Sequence, residues 1–128
     1  MNDLVNACIV AAKWWSENLG TGKPEYDECY DLRRCPTQPE REMFYSMLAD
    51  ILIDLFQETD VIGLSSNYVP NGILEEVALN CDMGDVIFPN NVTMCISTNK
   101  VVVYDKEMKN QKVLYGAKTK SYEIELIY

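Results

Sequence analysis

The sequence predicts an α+β fold, in which two to three N-terminal helices pack on a C-terminal four-stranded antiparallel meander. Apolar residues recur with a helical period in the first half of the chain, and the period changes to two residues after Val92. Helices that precede the strands in the sequence are typical of the α+β class. The chain has 128 residues, 48% of them hydrophobic, so we assign residues 1–128 to a single α+β domain.

The first predicted helix covers residues 4–19. Its apolar residues recur at steps of three and four and form one buried stripe: Leu4, Ala7, Cys8, Ala11, Trp15 and Leu19. Asn2 or Asp3 is suited to cap its start, and Gly20 is suited to end it. Trp14 and Trp15 point about 100° apart on a helix, so we expect one to enter the core and the other to stay near the surface.

The second predicted helix covers residues 38–58. Thr37-Gln38-Pro39-Glu40 matches a capping box, with Thr37 as the N-cap and Glu40 reaching back to it. The apolar residues that follow keep a helical period: Met43, Phe44, Met47, Leu48, Ile51, Leu52, Leu55 and Phe56. Residues 59–70 are expected to form a loop. A short helix capped by Asn71 should follow, with its buried side formed by Ile73, Leu74, Val77 and Ala78.

Four short segments rich in β-branched or aromatic residues are predicted as strands. They are Val92–Ser97, Val101–Asp105, Lys112–Tyr115 and Ser121–Tyr128. Turn-forming residues separate them, which favours an antiparallel meander. In the last segment the alternation of apolar and acidic residues indicates one buried face and one mostly solvated face.

The composition excludes several classes of function. The formal net charge of −9 argues against a protein that binds nucleic acid or anionic lipid directly, because both need a basic surface. The chain lacks histidine and the glycine-rich phosphate loops, so we predict that it is not an enzyme and takes no cofactor. Without histidine and with five scattered cysteines, we predict no metal site and no disulfide framework; Cys8 and Cys95 are expected to be buried. The lack of a signal peptide or membrane span predicts a cytoplasmic protein.

Two acidic segments are candidate partner-binding residues. Asp50, Asp54 and Glu58 fall at every fourth position of the second helix and form one acidic row. The second segment belongs to residues 20–36, a long loop that is rich in carboxylates and tyrosines: Glu25, Tyr26, Asp27, Glu28, Tyr30 and Asp31. Either segment can instead be a solvated surface. The helical row also leaves open an enzyme that uses two carboxylates.

Basic residues leave two further alternatives open. Arg33 and Arg34 can bind a phosphate, or can pair with Asp31 and Glu28, which we favour. The lysines near the predicted hairpins can protect sheet edges from unwanted pairing. Alternatively, they can hold a small anionic ligand between neighbouring subunits.

Three stretches together resemble a group of small uncharacterised proteins from phages and mobile elements of Gram-positive bacteria. They are the helix with Trp14-Trp15, the run from Leu64 to Pro70 that leads to Ile73–Ala78, and Phe88-Pro89 followed by Met94. The resemblance covers about two thirds of the chain and carries no catalytic residue. The sequence departs from the group at Asn90-Asn91, where the group is more aromatic and basic.

The resemblance implies a setting in which small acidic proteins counter host defence. We therefore expect an anti-CRISPR-like inhibitor, whose acidic surface occupies a basic nucleic-acid-binding site of a host effector protein in the host cytosol. The alternative is an oligomeric small-ligand binder that sequesters a nucleotide signal of host immunity. Both are binding functions, in line with the absence of common catalytic groups.

Overall fold

A computed structural model of the chain describes residues 2–20, 34–105 and 110–116. Its helices are α1 (Asn2–Asn18), α2 (Gln38–Leu55) and α3 (Ile73–Asn80). Its strands are β1 (Val61–Asn67), β2 (Val69–Pro70), β3 (Val92–Ser97), β4 (Lys100–Asp105) and β5 (Asn110–Tyr115). Within these residues, no helix is both long enough and apolar enough to cross a membrane.

Both predicted N-terminal helices are present. α1 is followed by Gly20, which has a φ of +88°, and of the two tryptophans Trp15 is buried while Trp14 is half-buried. The capping box of α2 is confirmed: Thr37 Oγ1 accepts from the Glu40 amide at 3.3 Å, and Glu40 Oε1 accepts from the Thr37 amide at 2.9 Å. α2 ends at Leu55, and the predicted last residues of the helix form a turn instead.

Within the described part of the chain, the strands form one antiparallel sheet of five, in the order β2-β1-β3-β4-β5. β3, β4 and β5 confirm three of the four predicted strands, and the fourth, at 121–128, lies outside the described residues. The prediction of a loop over residues 59–70 was wrong, because this segment contains β1 and β2. β1 gains its hydrogen-bonding partners from β3, about 30 residues later, which a local pattern does not reveal.

The helices lie on one face of the sheet. α1 contacts β3, β4 and β5, α3 contacts β1 and β2, and α2 packs on α1 and α3. The largest fully buried side chains between these layers include Trp15, Phe44, Phe88, Leu48, Leu52 and Met94. Inward residues of the strands alternate with outward ones, so a single hydrophobic core joins the helices and the sheet. The α+β class is therefore confirmed.

Two local predictions need correction. The N-cap of α3 is Gly72, with a φ of +53° and no side-chain cap, and Asn71 lies one position earlier. Cys8 is buried as expected, but Cys95 is exposed. Val92, Met94 and Ile96 take the inward positions of β3, so the strand alternation turns Cys95 outward.

Candidate protein-binding surface

The exposed side of α2 carries two of the predicted partner-binding residues. Phe44, Leu48, Ala49 and Leu52 are buried, which fixes the rotation of the helix. Asp50 and Asp54 are therefore turned to solvent, one helical turn apart. They flank a shallow surface depression that is also lined by Ile51, Ile53 and Gln57. This arrangement places half-buried apolar side chains between two exposed carboxylates.

Glu58 is exposed but does not extend the acidic row as predicted. Because α2 ends at Leu55, Glu58 lies in the turn that follows, where its amide donates to the Leu55 carbonyl at 3.0 Å. The regular spacing of the three residues in the sequence is thus broken after Asp54. All three carboxylates remain accessible to a partner.

α3 contributes exposed carboxylates that the sequence reasoning missed. Glu75, Glu76 and Asp82 are exposed on α3 and the turn after it. Cys81 Sγ lies 3.8 Å from Met47 Sδ, which joins the end of α3 to the middle of α2. Seven residues after Met47, on the same side of α2, lies Asp54. α2 and α3 also pack against each other, so the acidic residues of the two helices lie on neighbouring elements of the fold.

We define the acidic surface as the six exposed carboxylates of α2, α3 and their following turns: Asp50, Asp54, Glu58, Glu75, Glu76 and Asp82. Within the residues that the structure describes, no lysine or arginine forms an ion pair with any of them. A signal for this was present in the sequence, because no lysine or arginine occurs between Arg41 and Lys100. Nine acidic residues occur in that interval: Glu42, Asp50, Asp54, Glu58, Asp60, Glu75, Glu76, Asp82 and Asp85.

Glu40 and Asp85, in contrast, are carboxylates whose charge is compensated by an arginine, Arg34. Its Nη1 and Nη2 each donate to a Glu40 carboxylate oxygen at 2.7 Å, and its Nε donates to Asp85 Oδ2 at 2.9 Å. The hydrogen bonds from Arg34 lower the pKa of Glu40 to about 2 and also lower the pKa of Asp85. Arg34 therefore pairs with Glu40 and Asp85; the partners that the sequence suggested, Asp31 and Glu28, lie outside the described residues, so that pairing stays a prediction.

The second predicted binding segment, Glu25, Tyr26, Asp27, Glu28, Tyr30 and Asp31, lies outside the described residues and stays a prediction. The residues that flank it are fixed at one place in the fold. The Gly20 amide donates to the Ile87 carbonyl at 2.7 Å, and the Arg34 carbonyl accepts from the Ile87 amide at 2.9 Å. The chain thus leaves this point of the fold after Gly20 and returns to it at Arg34.

A groove between α1 and α2 brings two basic residues together. Lys13, Arg41, Glu17 and Glu42 line it together with Ser16, Gln38 and Tyr45, and its volume is about 450 Å³. Arg41 Nη1 donates to the Ser16 carbonyl at 2.6 Å, which ties α2 to α1. The two acidic residues offset the two basic ones, so the groove has a mixed electrostatic character.

Among the described residues, no group of three or more Cys, Asp or Glu side chains is placed to hold an ion. No protein-family model matches the sequence, and neither curated proteins nor solved structures offer a similar chain.

Proposed function

We propose that this chain is a non-enzymatic binding protein whose acidic surface occupies a basic, nucleic-acid-binding surface of a partner protein. The observation that carries the proposal is the set of exposed, uncompensated carboxylates on two packed helices. The like charges of Asp50 and Asp54, four residues apart on one helix, destabilise it by roughly a few tenths of a kcal/mol, and no ion pair within the described fold offsets this. A basic partner removes that repulsion when it binds.

Apolar side chains lie among these carboxylates, which also suits a protein partner. Leu79 is 64% exposed on α3, between Glu75 and Asp82 in the sequence, and Ile51 and Ile53 lie beside the carboxylates of α2. Interfaces between proteins combine an apolar centre with a polar rim. Spaced carboxylates can take the place of phosphates on a surface that normally receives nucleic acid. Their long-range field also speeds the encounter with a positively charged partner.

The resemblance to small phage proteins adds a biological setting to this proposal. In that setting the partner is an effector of host defence, and the protein works as an anti-CRISPR-like inhibitor in the host cytosol. This part of the proposal depends on the resemblance alone. The binding mode depends on the charge distribution and is tested separately.

The test compares two double charge reversals that change the net charge equally. Asp50→Lys/Asp54→Lys alters the acidic surface, whereas Glu17→Lys/Glu42→Lys alters exposed carboxylates of the α1–α2 groove. The wild type and both variants are immobilised and used to capture proteins from a nuclease-treated bacterial lysate, with identification by mass spectrometry. The affinity of each captured protein is then measured over a range of salt concentrations.

We expect the first variant to bind at least about tenfold more weakly, equivalent to about 1.4 kcal/mol, and the control to bind nearly as well as the wild type. Affinity should fall as salt rises, because exposed charges are screened beyond about 8–10 Å at physiological ionic strength. Equal loss in both variants would mean that net charge alone governs binding. Affinity that is insensitive to salt and to the Asp50/Asp54 reversal would refute the proposal.

The alternative, an oligomeric binder that sequesters a nucleotide signal, has one observation in its favour. The α1–α2 groove contains Lys13 and Arg41, and its volume of about 450 Å³ falls in the range of small-ligand sites. Glu17 and Glu42 in the same groove oppose the binding of phosphates. A thermal-shift screen with cyclic nucleotides tests this alternative: a rise in Tm that is lost in Lys13→Ala would favour it over the protein-binding proposal.

A further inference from the structure

Asn71 and Gly72 connect β2 to α3 and form a sequence pair that occurs once in the chain. No other asparagine in the 128 residues directly precedes a glycine. Both residues are exposed, and Gly72, the N-cap of α3, has a φ of +53°. The pair is therefore open to solvent at the point where the chain leaves the sheet and enters a helix.

An asparagine before a glycine can react with its own backbone. Its side-chain carbonyl carbon, Cγ, is separated from the next backbone nitrogen by three atoms, so a bond between the two closes a five-membered ring. Glycine lacks the Cβ atom that hinders this approach in other residues. A Cβ atom built on Gly72 would meet no atom within 4 Å, so the surrounding space admits both the ring and a water molecule.

The backbone nitrogen of Gly72 is also available for this reaction. Among the described residues, its amide donates no hydrogen bond, while its carbonyl accepts from the Glu76 amide at 3.1 Å. The side-chain nitrogen of Asn71, Nδ2, makes a long contact, in which it donates to Ser65 Oγ at 3.5 Å. Within this part of the chain, neither the attacking nitrogen nor the departing one is therefore held by a short hydrogen bond.

Two other exposed asparagines, Asn67 and Asn80, provide a comparison within the same fold. The amide after Asn67 belongs to Tyr68 and donates to a carbonyl of the α3–β3 connection at 3.1 Å. The amide after Asn80 belongs to Cys81 and donates to a carbonyl of α3 at 3.0 Å. Both of these nitrogens also belong to residues that carry a Cβ atom. Asn71 thus differs in both the size and the hydrogen bonding of the residue that follows it.

We propose that Asn71 is a site of spontaneous deamidation, in which the reactants are the chain itself and water. The Gly72 nitrogen, after loss of its proton to hydroxide, forms a bond to Asn71 Cγ. The bond from Cγ to Nδ2 breaks, and Nδ2 leaves as ammonia after it takes a proton from water. Water then opens the cyclic imide at one of its two carbonyl carbons, which yields aspartate or isoaspartate at position 71. The reaction involves no oxidation or reduction.

The reaction changes the charge and the backbone at one place in the fold. Either product adds a carboxylate at a residue that lines the same surface depression as Glu75. Isoaspartate also lengthens the backbone by one methylene group between two hydrogen bonds of residue 71. Its amide donates to the Ser65 carbonyl at 3.3 Å, and its carbonyl accepts from the Leu74 amide at 3.1 Å. We therefore expect isoaspartate to lower the Tm by a few degrees. This inference does not rest on the proposed function, because it concerns the chain in the absence of any partner.

The first experiment follows deamidation of the purified wild type at about pH 8 and about 37 °C by peptide mapping with mass spectrometry. We expect Asn71 to be modified at least about tenfold faster than Asn67 or Asn80, because of the three it alone precedes a residue without a Cβ atom. The rate should rise with pH, because the nucleophile is the deprotonated amide. Equal rates at the three asparagines, or an unmodified Asn71, would overturn the proposal.

The second experiment identifies the mechanism through its product. Isoaspartate forms from the cyclic imide and not from direct hydrolysis of the side-chain amide, so labelling by a protein isoaspartate methyltransferase reports the ring. Asn71→Gln keeps the amide but requires a larger ring that closes more slowly, and Asn80→Gln is the matched control. We expect labelling to fall by more than about tenfold in Asn71→Gln and to persist in Asn80→Gln. Equal labelling of the two variants would place the reaction elsewhere and contradict the assignment.

The third experiment separates the reactivity of the fold from that of the sequence. The rate of deamidation at Asn71 is compared between the native protein and the same chain unfolded in urea. We expect the native rate to lie within about tenfold of the unfolded rate, because the space around Gly72 is open. A native protein that stays intact while the unfolded chain reacts would show that the fold protects Asn71 and would refute the proposal.

The backbone effect is measured on the products. The isoaspartate form, separated by chromatography, should have a lower Tm than Asn71→Asp, which carries the same charge on an ordinary backbone. Equal Tm values would contradict the predicted effect of the longer backbone on the hydrogen bonds of residue 71.

Discussion

Phe44 of α2 and Phe88, in the connection between α3 and β3, form the contact whose energy can be predicted most directly. Their ring centroids are 5.7 Å apart at an interplanar angle of 67°, and both residues are fully buried. This edge-to-face pair holds α2 against the chain that leads into the sheet. It therefore helps to position the helix that carries Asp50 and Asp54.

Phe→Leu at either position removes ring atoms but keeps an apolar side chain, and should cost about 1–2 kcal/mol of unfolding free energy. An edge-to-face pair contributes about 0.5–1.5 kcal/mol beyond the burial of its area. The double variant Phe44→Leu/Phe88→Leu should therefore lose less than the sum of the two single changes, by about that amount. A domain of this size is stable by roughly 5–15 kcal/mol, so all three variants should fold.

The assay is urea unfolding followed by the fluorescence of Trp14 and Trp15 and by circular dichroism. The control cycle pairs Phe44→Leu with Val113→Ala, in β5 on the face of the sheet that points away from the helices, where the effects should add to within about 0.5 kcal/mol. A coupling energy near zero between the two phenylalanines, with unchanged m-values, would show that their mutual orientation contributes nothing. In that case shape alone would position α2.

Three further predictions follow from single groups. The pKa of Glu40 is lowered from 4.5 to about 2, so its ion pair stabilises the fold fully above about pH 4.5. The difference in Tm between the wild type and Glu40→Gln should therefore shrink as the pH falls toward 2, and a difference independent of pH would contradict this. Ser66→Ala removes the 2.7 Å hydrogen bond from a buried hydroxyl to the Pro89 carbonyl. Chemical denaturation should show that the free energy of unfolding falls by about 0.5–1.5 kcal/mol, whereas an unchanged value would mean that the bond is replaced. Burial raises the pKa of the Cys8 thiol to about 11. In the native protein at pH 8, a thiol reagent should therefore modify Cys95 but leave Cys8 unmodified until the protein unfolds, which peptide mapping can check.

The candidate site was partly predictable. Asp50 and Asp54 were found from their spacing because a helix repeats every 3.6 residues, and the buried residues of α2 place them on the solvent side as expected. The carboxylates of α3 were missed because Glu75, Glu76 and Asp82 show no regular spacing with the residues of α2. Their relation depends on how two helices pack, through Met47 and Cys81.

The sequence by itself determined the structures whose causes are local. The capping box from Thr37 to Glu40 and the apolar period after it specify α2, because each residue acts on neighbours within one or two turns. Short runs of β-branched and aromatic residues specify β3, β4 and β5 in the same way. The surplus of carboxylates in the helical half was also visible, since it needs only a count of charges along the chain.

Only the tertiary structure decided the features that depend on distant partners. β1 contains Gly63, Ser65 and Ser66 and is a weak strand by composition, and it forms because β3 supplies its hydrogen bonds and the core takes its inward side chains. Arg34 reaches Glu40 and Asp85 because the chain returns beside residues 85–87. The side of each element that meets water likewise depends on packing, because the hydrophobic core turns Asp50 and Asp54 of α2 to solvent and Cys95 of β3 outward.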